Sequence, residues 1–181
     1  MLCPRTNVEL KARDPSPARS RQICLALGAE EHGTLWQCDT YFAVPTGWLK
    51  LREEQPGEPH LIQYERDNQP RAGESRYRTA LVPDASAVIS VLKACLGVRV
   101  TVTKHRTLFT WEGVRIHLDD VEHLGYFIEL EAIASNDSGR LLHGYQLVAH
   151  LRDAFGLADE LLMPCGYADQ LLDRRQREPC D

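Results

Sequence analysis

Two neighbouring segments in the second half of the chain carry ionisable side chains at every second position, a spacing that can build a site for a cation. The first segment places Arg115, His117 and Asp119 on one face, and the second places Glu129 and Glu131 on one face. Side chains alternate across a strand, so each segment also has an apolar face opposite its functional groups. Three carboxylates on neighbouring faces repel one another unless a cation lies among them. Carboxylate oxygens suit a hard divalent ion such as Mg²⁺ or Mn²⁺.

Basic side chains recur with the same spacing on other segments. The pairs are Lys11/Arg13, Lys50/Arg52, Arg76/Arg78 and Lys104/Arg106. A solvated sheet face explains any single pair, because antiparallel sheets often have one face in water. The whole set argues for a site instead, since like charges at ~4 Å repel by roughly 4 kcal/mol at an effective dielectric of 20 and do not stabilise a fold. Phosphates suit Arg through its bidentate fork and Lys as a point charge, so the two sets together predict a metal-bound polyphosphate as the ligand.

Strands and helices that can position these groups follow one another along the chain. Alternation and turn residues predict strands at 6–13, 34–44, 48–53, 60–66, 75–82 and 98–109, and a hairpin whose two strands lie within 114–132. Predicted helices run from Asp14-Pro15 to Gly28, from Asp84 to Gly97, from Asn136-Asp137-Ser138 to Gly156 and from Gly166 to Leu172. Strands in hairpin order with inserted helices indicate an antiparallel α+β fold. Eight such strands can close into a β-barrel with charged faces lining the lumen and apolar faces under the helices.

Length and composition favour a single globular domain over residues 1–181, with a core of about 6–172 and a polar tail at 173–181 that frays. The formal charge of -5 and the pI near 5.8 argue against a nucleic-acid partner. No apolar run approaches ~18 residues and the first residues lack a signal sequence, so no membrane association is expected. The six cysteines form no C-x-x-C pair, which excludes zinc-site spacing and favours free thiols and a cytoplasmic location. The expected state is a monomer or a homodimer.

A set of motifs spanning about residues 6–172 resembles the CYTH domain, the family of triphosphate tunnel metalloenzymes that includes class IV adenylyl cyclases and thiamine triphosphatases. In chain order the motifs are N-V-E-L-K-A-R, C-D-T-Y-F, W-L-K-L-R-E, L-I-Q-Y-E-R, K-H-R-T-L-F, R-I-H-L-D-D-V-E-H-L-G-Y-F-I-E-L-E and G-Y-A-D-Q-L-L. A single K-x-R motif is weak, whereas the ordered set is specific. The resemblance implies an eight-stranded antiparallel tunnel that binds a small-molecule triphosphate, such as ATP, with Mg²⁺ or Mn²⁺.

The resemblance also implies roles for individual residues. The E-x-E-x-K signature of the family falls on Asn7, Glu9 and Lys11, so this chain has an amide where the family has its first Glu. One or two metal ions are both compatible with that difference. Triphosphate contacts are expected from Lys11, Lys50, Arg52, Arg66, Arg78, Lys104, Arg106, Arg115 and His117, with Lys11 and Arg115 as catalytic residues, and metal ligands from Glu9, Asp119, Glu129 and Glu131. Arg78 is preferred over Arg76 of the same strand, and His117 is either a hydrogen-bonded wall residue or a ligand or acid–base group.

Three functions remain open at this point. The first is a reaction like that of class IV adenylyl cyclases, which convert ATP to cyclic AMP and pyrophosphate, because L-I-Q-Y-E-R looks more like the cyclase branch. The second is hydrolysis of tripolyphosphate, thiamine triphosphate or a nucleoside triphosphate in the same tunnel. The third is non-catalytic binding of a nucleotide or polyphosphate, which the amide of Asn7 suggests.

Overall fold

The computed structural model describes residues 4–134 and 138–177. The strands are β1 (Arg5–Arg13), β2 (Glu30–Phe42), β3 (Trp48–Gln55), β4 (His60–Arg66), β5 (Gly73–Leu81), β6 (Val98–Trp111), β7 (Val114–Val121) and β8 (Gly125–Ala134). The helices are α1 (Pro17–Ala26), α2 (Ala85–Leu96), α3 (Ser138–Phe155) and α4 (Tyr167–Arg177), with a 3-10 turn at Asp159–Leu161.

The eight strands form a closed antiparallel barrel in the order β1-β5-β4-β3-β2-β6-β7-β8. This confirms the predicted eight-stranded barrel with helices outside. Because neighbouring strands run in opposite directions, β1, β2, β4 and β7 begin at the same end of the barrel, which we call the mouth. At the other end, Tyr167 of α4 packs with Phe127 and Val121 from the strands. Helix α4 therefore covers the end opposite the mouth.

The alternation predicted for β1 and β8 separates a helix-covered core from the barrel interior. Val8 and Leu10 on β1 and Leu130 on β8 are almost fully buried and belong to a cluster that α1 and α3 also enter. Burying a side chain of this size contributes about 1.5–3 kcal/mol, so the apolar faces fix which side of each strand points inward. Helix α3 approaches the sheet closely at Gly144, where a Cβ would lie 3.3 Å from Val8.

One helix end lies where the sequence predicts it, and two do not. Asp84 caps α2 through Ala87 N at 3.0 Å, as predicted. Asp14, in contrast, does not occupy the N-cap position of α1, which Ser16 takes; Asp14 instead accepts hydrogen bonds from Ser16 N and Ser20 Oγ. Helix α4 continues to Arg177, beyond the predicted end at Leu172, so part of the expected polar tail is helical. The predicted cap of α3 at 136–138 lies outside the described side chains.

Strand β2 begins earlier than the prediction. It starts at Glu30 and passes Gly33, where the pairing with β6 shifts register. The φ of Gly33 is 92°, a conformation that favours glycine and produces a bulge. In a sequence, a glycine indicates the end of a strand, so the prediction placed the start of β2 after Gly33.

None of the helices in the described ranges has the length and apolar composition that a membrane crossing requires. The four cysteines in those ranges, Cys24, Cys38, Cys95 and Cys165, are free thiols.

Candidate active site

The barrel encloses a cavity of about 380 Å³ whose charged lining comes from every strand except β5. The basic lining residues are Arg5, Lys11, Lys50, Arg52, Arg66, Lys104, Arg106 and Arg115, and the acidic ones are Glu9, Asp39, Glu54, Glu129 and Glu131. Eight basic side chains against five carboxylates leave an excess of positive charge. The cavity is therefore suited to an anion.

Strands β2 and β3 hold two of the basic residues around one buried carboxylate, Asp39. Asp39 lies directly opposite Arg52 in the strand register. Arg52 donates to both Asp39 oxygens, at 2.7 and 2.8 Å, and Lys50 Nζ lies 2.8 Å from Oδ2. Burial alone would raise the pKa of Asp39, but Arg52 and Lys50 outweigh it and hold that pKa well below its ordinary value. Burial, and then Arg52, lower the pKa of Lys50 to about 8, although Asp39 opposes them.

Strands β6 and β7 repeat this arrangement around Asp119. Arg106 donates to both Asp119 oxygens, at 2.7 and 2.6 Å, and Lys104 Nζ lies 3.4 Å from Oδ2. The hydroxyl of Tyr167 donates to the same Oδ2 at 2.8 Å. The side chain of Asp119 is 0% exposed and does not line the cavity. This geometry corrects the expected role of Asp119 as a metal ligand, because its oxygens hold the two cations in place instead.

The remaining acids of the predicted metal site meet where β1, β7 and β8 lie side by side. Glu9 lies directly opposite Glu131 in the β1–β8 register, and Lys11 lies opposite Glu129. Glu129 Oε2 is 2.9 Å from Lys11 Nζ and 2.5 Å from Arg106 Nη2. Burial, and then the charge of Glu129, raise the pKa of Glu9. A cation near these carboxylates would relieve that repulsion.

Three further predicted residues border the acids on the mouth side. Arg115 Nη2 lies 2.9 Å from Glu131 Oε2. His117 is buried with Nδ1 3.8 Å from Glu129 Oε2, and burial, followed by the charge of Arg106, lowers its pKa. Asn7 donates through Nδ2 to Glu131, and its buried Oδ1 has no hydrogen-bond partner in the described part of the chain.

These donors fit a hard divalent cation by their chemistry. Glu9, Glu129 and Glu131 supply carboxylate oxygens, and the unpartnered Asn7 Oδ1 supplies a neutral oxygen, which are the ligands that Mg²⁺ and Mn²⁺ prefer. Within residues 4–134 and 138–177, no group of three or more His, Cys, Asp and Glu side chains is already arranged to hold a metal ion. The acids pair with lysine and arginine instead, so a cation would have to displace part of these ion pairs.

Helix α4 completes the wall at the covered end. The Tyr167 ring lies 4.0 Å from Lys11 Nζ, at the distance of a cation–π contact. Arg66 Nη1 is 3.4 Å from Glu9 Oε1, and its Nη2 is 3.7 Å from Asp169 Oδ2 of α4. A Cβ at Gly166 would collide with the Arg66 guanidinium, so only glycine leaves this arginine its place.

One predicted contact is wrong. Arg78 is exposed on the outer face of β5 and donates to Gln63 Oε1 at 2.9 Å, while Tyr77 and Thr79 line the cavity. Both faces of β5 carry polar groups, so alternation alone did not fix which face points inward. Asp39 was missed because its role depends on pairing with Arg52 of another strand. The sequence did contain one sign of this role. Asp39 lies two residues before Tyr41 and therefore on the same face of the strand, and that face lines the cavity.

Sequence and structural comparisons bear on this geometry. The CYTH domain matches residues 5–142. The PH1012 protein from Pyrococcus horikoshii OT3 is 25% identical and superposes with a TM-score of 0.81, over 90% of this chain and 98% of that chain. A putative adenylate cyclase from Vibrio parahaemolyticus is 21% identical, with a TM-score of 0.78, over 92% of this chain and 98% of that chain. A putative adenylyl cyclase from Hippeastrum, described as having a dominant triphosphatase activity, is 14% identical, with a TM-score of 0.62 over 97% of each chain. No curated protein matches the sequence.

Because these solved structures share little sequence identity with this chain, they support only its fold. The family match is broader, because residues 5–142 contain all eight strands and every charged residue of the cavity lining. The fold agrees with this match, because it is a closed antiparallel tunnel with a basic lining and an acidic wall on β1 and β8. The match over most of its length shows that the chain belongs to the CYTH domain family.

Proposed function

We propose that this protein is a divalent-metal-dependent enzyme that acts on a triphosphate, and that its reaction is of the adenylyl cyclase type, from ATP to cyclic AMP and pyrophosphate. The observation that carries the proposal is the buried lining itself, in which basic side chains from five strands surround a cavity of about 380 Å³. Proteins of this family typically act on triphosphates and depend on a divalent metal, generally Mg²⁺ or Mn²⁺.

The basic residues bind and orient the triphosphate. Arg52 and Arg106 are each held by two hydrogen bonds to a buried aspartate, so their guanidinium groups are fixed before the substrate arrives. Groups fixed in this way lose little entropy on binding and stabilise charge that develops during the reaction. Lys11 and Arg66, near the covered end, reach the terminal phosphate of a substrate whose other end faces the mouth. Arg115, close to the mouth, then lies near the phosphate attached to the organic group.

Glu9, Glu129 and Glu131 would hold the metal, with Asn7 Oδ1 as a neutral ligand. A bound divalent ion neutralises charge on phosphate oxygens and so favours attack on phosphorus. Lys11 and Arg115 each lie 2.9 Å from one of these carboxylates, and both would be released to bind the phosphates if the carboxylates held a metal ion. In the cyclase reaction the ribose 3′-hydroxyl attacks the α-phosphorus, and Lys11 and Arg66 stabilise the charge of the departing pyrophosphate.

Hydrolysis is the second candidate, and one feature favours it. A small hollow of about 30 Å³ adjoins the cavity where Glu9, Lys11 and Arg66 meet the loop after β4. A volume of this size accommodates about one water molecule. Water held there would lie near the terminal phosphate, which is the position that attack on the terminal phosphorus requires.

Non-catalytic binding is the third candidate, because Asn7 replaces the first acid of the family signature and donates a hydrogen bond to Glu131. An amide is a weaker ligand than a carboxylate for a hard cation. Such a protein would bind metal and triphosphate and release the triphosphate unchanged.

The test is incubation of the purified protein with Mg²⁺ or Mn²⁺ and, separately, ATP, thiamine triphosphate and tripolyphosphate. Cyclic AMP with pyrophosphate supports the cyclase reaction, orthophosphate supports hydrolysis, and tight binding without product supports the binder. Arg52→Ala should lower kcat/KM about 100-fold, as expected for a fixed cation on a reacting phosphate. Arg78→Ala, the matched control on the outer face, should change it less than twofold. Equal effects of the two variants would refute the proposed site.

A further inference from the structure

Three aliphatic side chains line the cavity without belonging to a hydrophobic core. Leu35, Ile62 and Leu108 are partly buried and face the same space as the charged residues. The described residues form three clusters of buried apolar side chains, and these leucines and this isoleucine are neither members of a cluster nor packed against one. Apolar side chains that face a charged cavity and pack into no core gain less from folding than core residues do, so they point to a ligand with apolar surface.

All three lie toward the mouth. Leu35 is near the start of β2, Ile62 near the start of β4 and Leu108 near the end of β6, which is the mouth end of each strand. On the β2–β6 pair, Leu35 lies opposite Arg106 and Leu108 lies opposite Gly33. Leu35 and Leu108 are therefore diagonal neighbours, and Gly33 places no side chain across from Leu108. The space beside Leu108 can accept a flat group.

A buried amide next to Leu35 offers a polar contact to the same group. Gln37 is 2% exposed and lines the cavity. Its Nε2 donates to Glu54, while its Oε1 has no hydrogen-bond partner among the described residues. A buried acceptor without a partner carries a desolvation cost that a donor would remove. An amino or hydroxyl group on the ligand would be such a donor.

From this wall we infer that the substrate is an organic triphosphate, whose ring system packs against Leu35, Leu108 and Ile62 and donates a hydrogen bond to Gln37, and not bare tripolyphosphate. This inference rests on the proposed function, since it assumes that the basic residues deeper in the barrel hold the triphosphate. Tripolyphosphate has no apolar surface and would leave these side chains facing water. A nucleoside triphosphate and thiamine triphosphate both carry an aromatic ring with polar substituents.

The experiment measures the dissociation constants of ATP, thiamine triphosphate and tripolyphosphate, with Mg²⁺, for the unmodified protein and for the double variant Leu35→Ala, Leu108→Ala. Leu142→Ala, on an exposed leucine of α3, is the matched control. At least one organic triphosphate should bind the unmodified protein more tightly than tripolyphosphate. The double variant should weaken that organic ligand about tenfold, as expected for lost apolar contact, and change tripolyphosphate less than twofold. Binding of tripolyphosphate also verifies that the variant is folded.

Each outcome decides a different point. An equal loss for all three ligands in the double variant would overturn this inference and leave the proposed function standing. Tightest binding of tripolyphosphate by the unmodified protein would overturn this inference and the cyclase reaction, and leave standing only metal-dependent action on a triphosphate. Failure of all three triphosphates to bind the unmodified protein would overturn the proposed function and this inference together.

Discussion

Replacing Asp39 by Asn should move the pH dependence of triphosphate binding to lower pH. Lys50 Nζ lies 2.8 Å from Asp39 Oδ2 and faces Tyr41 on β2, Tyr64 on β4, Arg52 on its own strand and the charge of Arg106 on β6. Burial, then Arg52, lower the pKa of Lys50 to about 8, and Asp39 is the charge that opposes them. In the unmodified protein, Lys50 therefore loses its charge, and triphosphate binding weakens, as the pH rises through about 8.

The expected shift follows from the loss of one opposite charge. An opposite charge at this distance moves a pKa by about one to three units, so Asp39→Asn should lower the pKa of Lys50 by that amount. Lys50 would then be largely neutral at pH 7, and the alkaline loss of binding should occur about one to three pH units earlier. The substitution should also lower the free energy of unfolding by about 3–5 kcal/mol, because it leaves buried cations without their partner.

The assay is isothermal titration of tripolyphosphate into the protein with Mg²⁺ between pH 6 and pH 9.5. The titration of tripolyphosphate itself affects both measurements equally, so a difference between the two alkaline midpoints reports a change in the protein. Asp120→Asn, which removes an exposed carboxylate from the outer face of β7, is the matched control and should leave the midpoint unchanged. An identical alkaline midpoint for the Asp39 variant and the unmodified protein would refute the assignment of Asp39 as the residue that keeps Lys50 charged.

Three other substitutions test separate parts of the site. Glu129→Gln should weaken Mn²⁺ binding at least tenfold, measured by electron paramagnetic resonance, and an unchanged affinity would remove Glu129 from the metal site. Asp119→Asn should lower the free energy of unfolding by about 3–5 kcal/mol in urea at pH 7, because Arg106 remains buried without its bidentate partner; a loss below 1 kcal/mol would contradict this. Lowering the pH should also destabilise the unmodified protein, since the pKa of Asp119 is depressed in the folded state. The stabilisation by this carboxylate is fully present above its unfolded pKa and is lost as the pH falls through its folded pKa. Gly166→Ala should displace Arg66 and raise the KM for triphosphate about tenfold with unchanged helix content by circular dichroism, and an unaltered KM would contradict the steric argument.

The interior of the barrel was predictable where the two faces of a strand differ in chemistry. On β8, Ile128 and Leu130 alternate with Glu129 and Glu131, so only one orientation buries the apolar residues. The same argument placed Lys11 of β1 inside. On such strands, alternation shows both that the segment is a strand and which of its faces points into the barrel, because the apolar face must pack under the helices.

The rest depended on contacts between strands that are distant in sequence. Asp39 of β2 pairs with Arg52 on β3, while the other neighbour of β2 is β6. The sequence does not indicate whether the Asp39 carboxylate pairs with a residue of β3 or of β6. Asp119 was recognised as an interior acid, but its role changed because Tyr167, from a helix near the end of the chain, occupies one of its oxygens. Burial and pairing, and not residue type, decide whether an interior carboxylate binds a metal or holds an arginine.

The position of β1 between β5 and β8 has a consequence for how the protein folds. Glu9 on the first strand and Glu131 on the last meet only when these two strands pair and close the barrel. Closing so long a loop is entropically costly and slows folding, so this pairing belongs to the late part of the folding reaction. During synthesis, all strands that supply basic residues to the cavity are made before β8. Glu9 and Glu131 cannot meet until β8 has been synthesised and has paired with β1. Metal capture should therefore report completion of the fold, and partly folded chains should not compete for the ion.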